Sequence, residues 1–122
     1  MQTKKEQTTL LQNVIEGIQE KKGKNIVIVD LTGIIGCICN QFVICEGNSP
    51  NQVSAIADSV REYVRKKISV KPVSVSGEQN AQWIAMDYSD IIVHIFLPDR
   101  RNYYQLEHLW NDAKLTDIPD LD

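Results

Sequence analysis

Long apolar runs are the first thing missing from this chain of 122 residues. Nothing approaches the roughly 18 consecutive apolar residues that a membrane-spanning helix needs. The start, Met1-Gln2-Thr3-Lys4-Lys5-Glu6-Gln7, lacks the apolar stretch of a secretory signal and the character of an organellar leader, so the expectation is a cytoplasmic bacterial protein. A basic excess is missing too. Thirteen Lys and Arg against 16 Asp and Glu leave a net charge of -3, which argues against a phosphate-binding surface and direct nucleic-acid recognition. The short runs Arg65-Lys66-Lys67 and Arg100-Arg101 read as solvated helix faces or as the rim of a protein interface. Ligand-type residues are scarce. Cys37, Cys39 and Cys45 have no matching cluster, and His94 and His108 lie far along the chain, so a four-ligand zinc site is excluded and reduced thiols are expected. The pattern asks for no metal and no cofactor.

What is present is the make-up of an ordinary folded domain, 43% hydrophobic and 24% charged. One domain over 1–122 is expected, with its core at about 9–113 and loosely held ends. Leu10, Leu11, Val14, Ile15 and Ile18 form one apolar stripe of a helix over Thr9 to Lys22, with Thr8 or Thr9 as cap and Gly23 as terminator. Asn25 to Leu31 is a continuous apolar run suited to a strand buried on both faces. Thr32 to Asn40 reads as irregular, and Gln41 to Glu46 as a second strand. Ser49-Pro50 opens a helix whose core stripe is Val53, Ile56, Ala57, Val60 and Val64. A short strand is expected over Lys71 to Val75, then strands at Trp83 to Met86 and Ile91 to Phe96. A final helix is expected over Asp99 to Ala113, with Leu106, Leu109 and Trp110 inward. The order is α-β-β-α-β-β-β-α, an α/β (α+β) fold with a mixed five-stranded sheet flanked by helices.

The two last strands carry the chemistry worth weighing. A two- or four-residue hairpin loop places Trp83, Ala85 and Asp87 on one face with Ile92, His94 and Phe96; a three-residue loop separates Asp87 from His94. Asp87 and His94 are then candidates for an acid-base couple, yet no nucleophile is spaced for them. Ser89 lies in the turn, and Cys45 sits in an apolar strand that raises its pKa. A histidine satisfied within the sheet is the commoner outcome. Asp30, at a strand end, is expected to cap the following turn. Gly47-Asn48-Ser49 at a strand-to-helix turn offers helix N-terminal amides to a phosphate but lacks the glycine spacing and lysine of a phosphate loop. Trp83, Tyr88, Tyr103, Tyr104 and Trp110, with Arg100 and Arg101, are divided between core packing and the residue types enriched at interface hot spots.

Taken in order, several segments resemble one family. They are Asp30-Leu31, Phe42-Val43-Ile44-Cys45-Glu46-Gly47-Asn48-Ser49, Gln52 to Asp58, Gly77, Trp83 with Asp87-Tyr88, Val93-His94-Ile95-Phe96, and Arg101-Asn102-Tyr103-Tyr104-Gln105-Leu106-Glu107-His108-Leu109-Trp110. The chain is similar, from about Leu10 to Ala113, to the ribosomal silencing factor or Iojap-related family. The resemblance implies a nucleotidyltransferase-like fold without catalysis. It also implies binding to the large ribosomal subunit through the ribosomal protein numbered fourteen, which blocks small-subunit joining and represses translation when nutrients are scarce. Trp83, Asp87, Tyr88, His94, Arg100, Tyr103 and Glu107 form the expected interface neighbourhood. A minimal nucleotidyltransferase-like, nucleotide-binding enzyme is the alternative, and a homodimer using a sheet edge or the aromatic surface is a further possibility.

Overall fold

The computed structural model describes residues 4–34, 39–110 and 112–121, the first five of them as backbone alone. Cys37 lies outside the described residues. Helix α1 (Lys4–Glu20) leads into β1 (Lys24–Asp30) and β2 (Gln41–Glu46), and helix α2 (Pro50–Ile68) follows. Strands β3 (Ser74–Ser76), β4 (Trp83–Asp87) and β5 (Ile91–Phe96) precede helix α3 (Pro98–Tyr104), a 3-10 turn at Leu106–His108 and β6 (Lys114–Ile118).

The start of α2 follows from local chemistry. The Ser49 hydroxyl accepts the Gln52 amide at 3.1 Å, and Pro50 stands in the first turn, where its missing N–H leaves no bond unmade. Gly17 of α1 lets the two long helices touch. A Cβ there would lie 2.8 Å from the Val60 Cα, and the Ser59 hydroxyl donates to the Gly17 carbonyl at 2.7 Å. At the end of α1 the left-handed residue is Lys22 (φ 59), not Gly23, whose amide reaches back to the Ile18 carbonyl.

The sheet has six strands, ordered β3-β4-β5-β2-β1-β6, so the expectation of five is corrected. The extra strand comes from the tail expected to be loose. Its residues are almost all exposed, so no alternating burial marks it; what holds it is the antiparallel ladder to β1, from Ile26↔Ile118 to Asp30↔Lys114. The Asn25 amide also donates to Asp120 Oδ1 at 2.9 Å, and Lys24 Nζ to the Leu121 carbonyl at 3.2 Å. The parallel pair expected around α2 exists, but it joins β2 to β5 (Ile44↔His94) because the β4–β5 hairpin is inserted between β2 and β3.

Helices α1 and α2 cover one face of the sheet. Leu10, Val14, Ile18, Ile56, Val60 and Ile95 are buried there with Cys45, whose thiol pKa is raised by burial. The last helix is shorter than the apolar spacing suggests. It ends at Tyr104 because Gln105 turns left-handed (φ 47) and donates to the Arg101 carbonyl, freeing Trp110 to fold back onto Phe42.

Candidate functional site

The side of the sheet away from α1 and α2 joins Val27, Val29, Leu31 and Ile44 to a group of aromatic side chains. The β4–β5 register pairs Trp83 with Phe96, Ala85 with His94 and Asp87 with Ile92, so the even loop parity holds and these six residues share a face. Trp83 Nε1 donates to His94 Nδ1 at 3.0 Å. Phe42 of β2 meets the imidazole edge-on at 4.7 Å, and Trp110 packs on Phe42 at 5.5 Å. On the other flank Trp83 stacks on Phe96 at 5.0 Å, Tyr104 of α3 lies 4.6 Å from the indole, and Tyr103 follows at 5.1 Å from Tyr104. Each contact is a ring packed where its quadrupole favours an offset or edge-on approach.

His94 has no means of acting as a base here. One nitrogen accepts from the indole, and Nε2 is buried without a hydrogen-bond partner among the described residues. Burial pushes its pKa down to about 4, so at neutral pH the ring is uncharged. Asp87 does not meet it. Its Oδ1 accepts the Ser89 amide at 2.7 Å and closes the hairpin turn, so the acid-base couple considered from the sequence does not form. Asp30 caps its turn as expected, accepting the Thr32 amide at 2.9 Å. Among the described residues no group of three or more His, Cys, Asp or Glu is placed to hold a metal ion.

The seven residues singled out from the sequence divide into groups. Trp83 and His94 are in direct contact; Tyr103 joins them through Tyr104, and Arg100 lines a cleft of about 240 Å³ with Trp83, Tyr104, Asn80 and Gln82. Tyr103 is 78% exposed and Leu109 58%, so this flank presents apolar surface to solvent. Asp87 stands at the far end of β4, about 13 Å from Trp83 at strand rise. Tyr88 belongs to the opposite side. It is 3% exposed within the α1–α2 core, its hydroxyl has no hydrogen-bond partner among the described residues, and burial raises its pKa to about 12.

Glu107 pairs with a residue outside the interface neighbourhood expected from the sequence. Its Oε1 accepts from Arg101 Nε at 3.3 Å, and Arg101 Nη1 donates to Glu46 Oε2 at 3.0 Å and to the Asn25 carbonyl. Arg100, the neighbour chosen from the sequence, points outward, while Arg101 is buried. Helical spacing does not separate them, because both arginines stand three or four residues from Leu97 and from Tyr104; the distant partners of Arg101 do. Around Arg101 runs a groove of about 510 Å³ lined by Glu46, Glu107, Asp117 and Asp120.

A sheet face of packed aromatic side chains with an exposed aromatic and arginine-containing flank has the make-up of a recognition protein of the mixed α/β class. The sequence pattern described as "Ribosomal silencing factor during starvation" matches residues 3–122. A relative from Bacillus subtilis, "Ribosomal silencing factor RsfS", is 36% identical over 92% of this chain and 93% of its own length. A solved structure from Chromobacterium violaceum is 31% identical with a TM-score of 0.80, covering 88% of each chain, and one from Bacillus halodurans is 31% identical with a TM-score of 0.74, covering 94% of this chain and 98% of that one. The chain therefore belongs to the ribosomal silencing factor family, whose members are non-catalytic, ribosome-binding repressors of translation. Among the described residues no helix is long and apolar enough to cross a membrane.

Proposed function

We propose that the chain binds the large ribosomal subunit through the ribosomal protein numbered fourteen and, by occupying that surface, blocks the small subunit from joining. The observation that carries this reading is the flank of α3. Arg100, Tyr103, Tyr104 and Leu109 are exposed beside the packed Trp83, an aromatic and arginine-containing surface on a rigid base. The acidic groove around Arg101 supplies charge complementary to a basic ribosomal protein. In this reading Arg100, Tyr103 and the exposed edge of Trp83 touch the partner. His94 and Glu107 support them from beneath, Asp87 shapes the hairpin end, and Tyr88 serves the core. Sedimentation of purified subunits tests the reading. Cosedimentation with large subunits and a lower yield of joined ribosomes are expected; their absence removes it.

The nucleotidyltransferase-like architecture is then fold without activity. The Gln52 amide is taken by the Ser49 hydroxyl, the Asn48 amide donates to Gln52 Oε1 at 2.6 Å and the Gly47 amide to the Phe96 carbonyl at 3.0 Å, so three of the donors at the turn are already occupied. Titration with nucleoside triphosphates and magnesium is expected to give no heat. The α3 flank is also the surface on which two free chains would pair, in competition with the ribosome. Light scattering that reports a monomer at every concentration removes that pairing.

A further inference from the structure

Helix α3 carries the exposed side chains of the proposed interface, yet little in its own sequence holds it in place. It has seven residues, fewer than the roughly 12–15 at which isolated helices become even marginal in water, and no side chain caps its N-terminus. Its one buried residue is Arg101, a charged one. The Arg101 side chain is 8% exposed, and its partners come from three other places: Asn25 in the bulged start of β1, Glu46 at the end of β2 and Glu107 beyond the helix. Glu46 and Glu107 are themselves only 16% and 14% exposed, and the second oxygen of Glu46 accepts from Asn25 Nδ2 at 3.2 Å.

This geometry differs from apolar docking. An aliphatic contact tolerates rotation of a short helix, whereas a guanidinium bonded in its plane to three acceptors from separate elements defines both position and direction. The same residue lies within one turn of Arg100, Tyr103 and Tyr104, so the angle at which those side chains leave the surface is set by the Arg101 contacts. A helix already held in the bound orientation avoids the ordering cost that a loose one incurs on association.

We propose that Arg101 is a positioning residue for partner recognition. Through Glu46, Glu107 and the Asn25 carbonyl it locks α3 in the orientation that presents Tyr103 and Arg100 to the ribosomal partner. The proposal rests on the reading of α3 as the docking flank. It identifies the buried ion cluster as the element that preorganises this flank.

The test uses the full chain and purified large ribosomal subunits. Arg101→Lys keeps the charge but replaces the planar fork with a compact ammonium that cannot reproduce its separate Nε and Nη1 contacts, and circular dichroism checks that the variant is folded. It is expected to bind about tenfold more weakly, mainly by faster dissociation. Tyr103→Ala is expected to cost about tenfold as well, and the double variant about tenfold rather than a hundredfold, because Arg101 acts through the placement of Tyr103. Loss of a merely stabilising residue would not couple in this way. Hydrogen exchange supplies a readout independent of the partner: the Gln105 amide, bonded to the Arg101 carbonyl, is expected to exchange at least about tenfold faster in Arg101→Lys while amides in the middle of α2 keep their rates. If Arg101→Lys does not fold, Glu107→Gln replaces it in every arm. Binding within twofold of the unaltered chain, or losses that multiply fully in the double variant, overturns the proposal. If the unaltered chain itself fails to bind large subunits, the ribosome reading falls instead. Exchange at Gln105 then decides the positioning role, and an unchanged rate there overturns it.

Discussion

On the face of the sheet beneath α1 and α2 the buried side chains are largely aliphatic: Leu10, Val14, Ile18, Val43, Ile56, Val60 and Ile95. On the opposite face Val27, Val29, Leu31 and Ile44 are buried with Phe42, Phe96 and His94, and the half-buried Trp83 and Trp110 pack on them, the rings joined by edge and stacking contacts and by the indole-to-imidazole hydrogen bond. The first face is closed by two long helices in contact at Gly17, so its burial serves folding. Among the described residues the second is closed by the two-turn helix α3, the 3-10 turn and the segment after β1 that carries Leu31, Ile34 and Cys39, and side chains at its rim remain exposed. Aliphatic packing stabilises in proportion to area and leaves nothing for a partner to read. Rings with polar handles keep a rigid shape while their edges stay accessible, which is what recognition needs.

The largest effect that separates the two faces belongs to the helix side. Ile56→Ala, at a fully buried position in α2, is expected to cost about 3 kcal/mol of stability in urea unfolding, within the range for such truncations. Ribosome binding by the fraction that remains folded is expected not to change; a parallel loss of affinity would merge the two faces.

Acid should act through the aromatic face. His94 has its pKa held near 4 by burial, below the ordinary value of 6.5, so the unfolded chain binds the extra proton first. Its contribution is fully present above pH 6.5 and is lost progressively as pH falls from 6.5 to 4, by up to about 3 kcal/mol; below 4 this group causes no further change. Unfolding midpoints across that window check it, and His94→Phe should flatten the slope.

Tyr103→Ala sharpens the comparison from the surface. With the ring 78% exposed, stability should stay within about 0.5 kcal/mol, while affinity for large subunits falls about tenfold. Equal binding by the variant would remove Tyr103 from the interface. The smallest effect is expected for Tyr88→Phe, which deletes a buried hydroxyl that has no hydrogen-bond partner among the described residues: stability unchanged or raised by up to about 1 kcal/mol, and binding unaltered. A clear loss of affinity would place Tyr88 back among the recognition residues.

Part of this division was legible in the sequence. The period-2 pattern of Trp83 to Phe96 places Asp87 and His94 on one face once the loop parity is even, and the ladder has that parity. The same pattern could not say that His94 bonds Trp83 rather than Asp87, because both carbon frameworks fit and only the diagonal reach of the indole decides. Tyr88 looked like a turn residue beside a recognition strand. Its face was set by the hairpin bond from its amide to the Ile91 carbonyl, which keeps it in register with the buried side.

By itself the sequence determined the elements whose signals are local: the stripe of α1, the Ser49-Pro50 start of α2, β2 over Gln41–Glu46 and the two hairpin strands. Caps, β-branched runs and helical spacing act within a few residues, so a short window contains their physics. Only the tertiary structure decided that Lys114–Ile118 is a strand, that α3 stops at Tyr104, and that Arg101 rather than Arg100 turns inward. The reason is common to all three. A backbone ladder to β1, a ring contact with Phe42 and an ion cluster drawing on residues 25, 46 and 107 are interactions between distant segments, and their free energy appears only when the chain has brought those segments together.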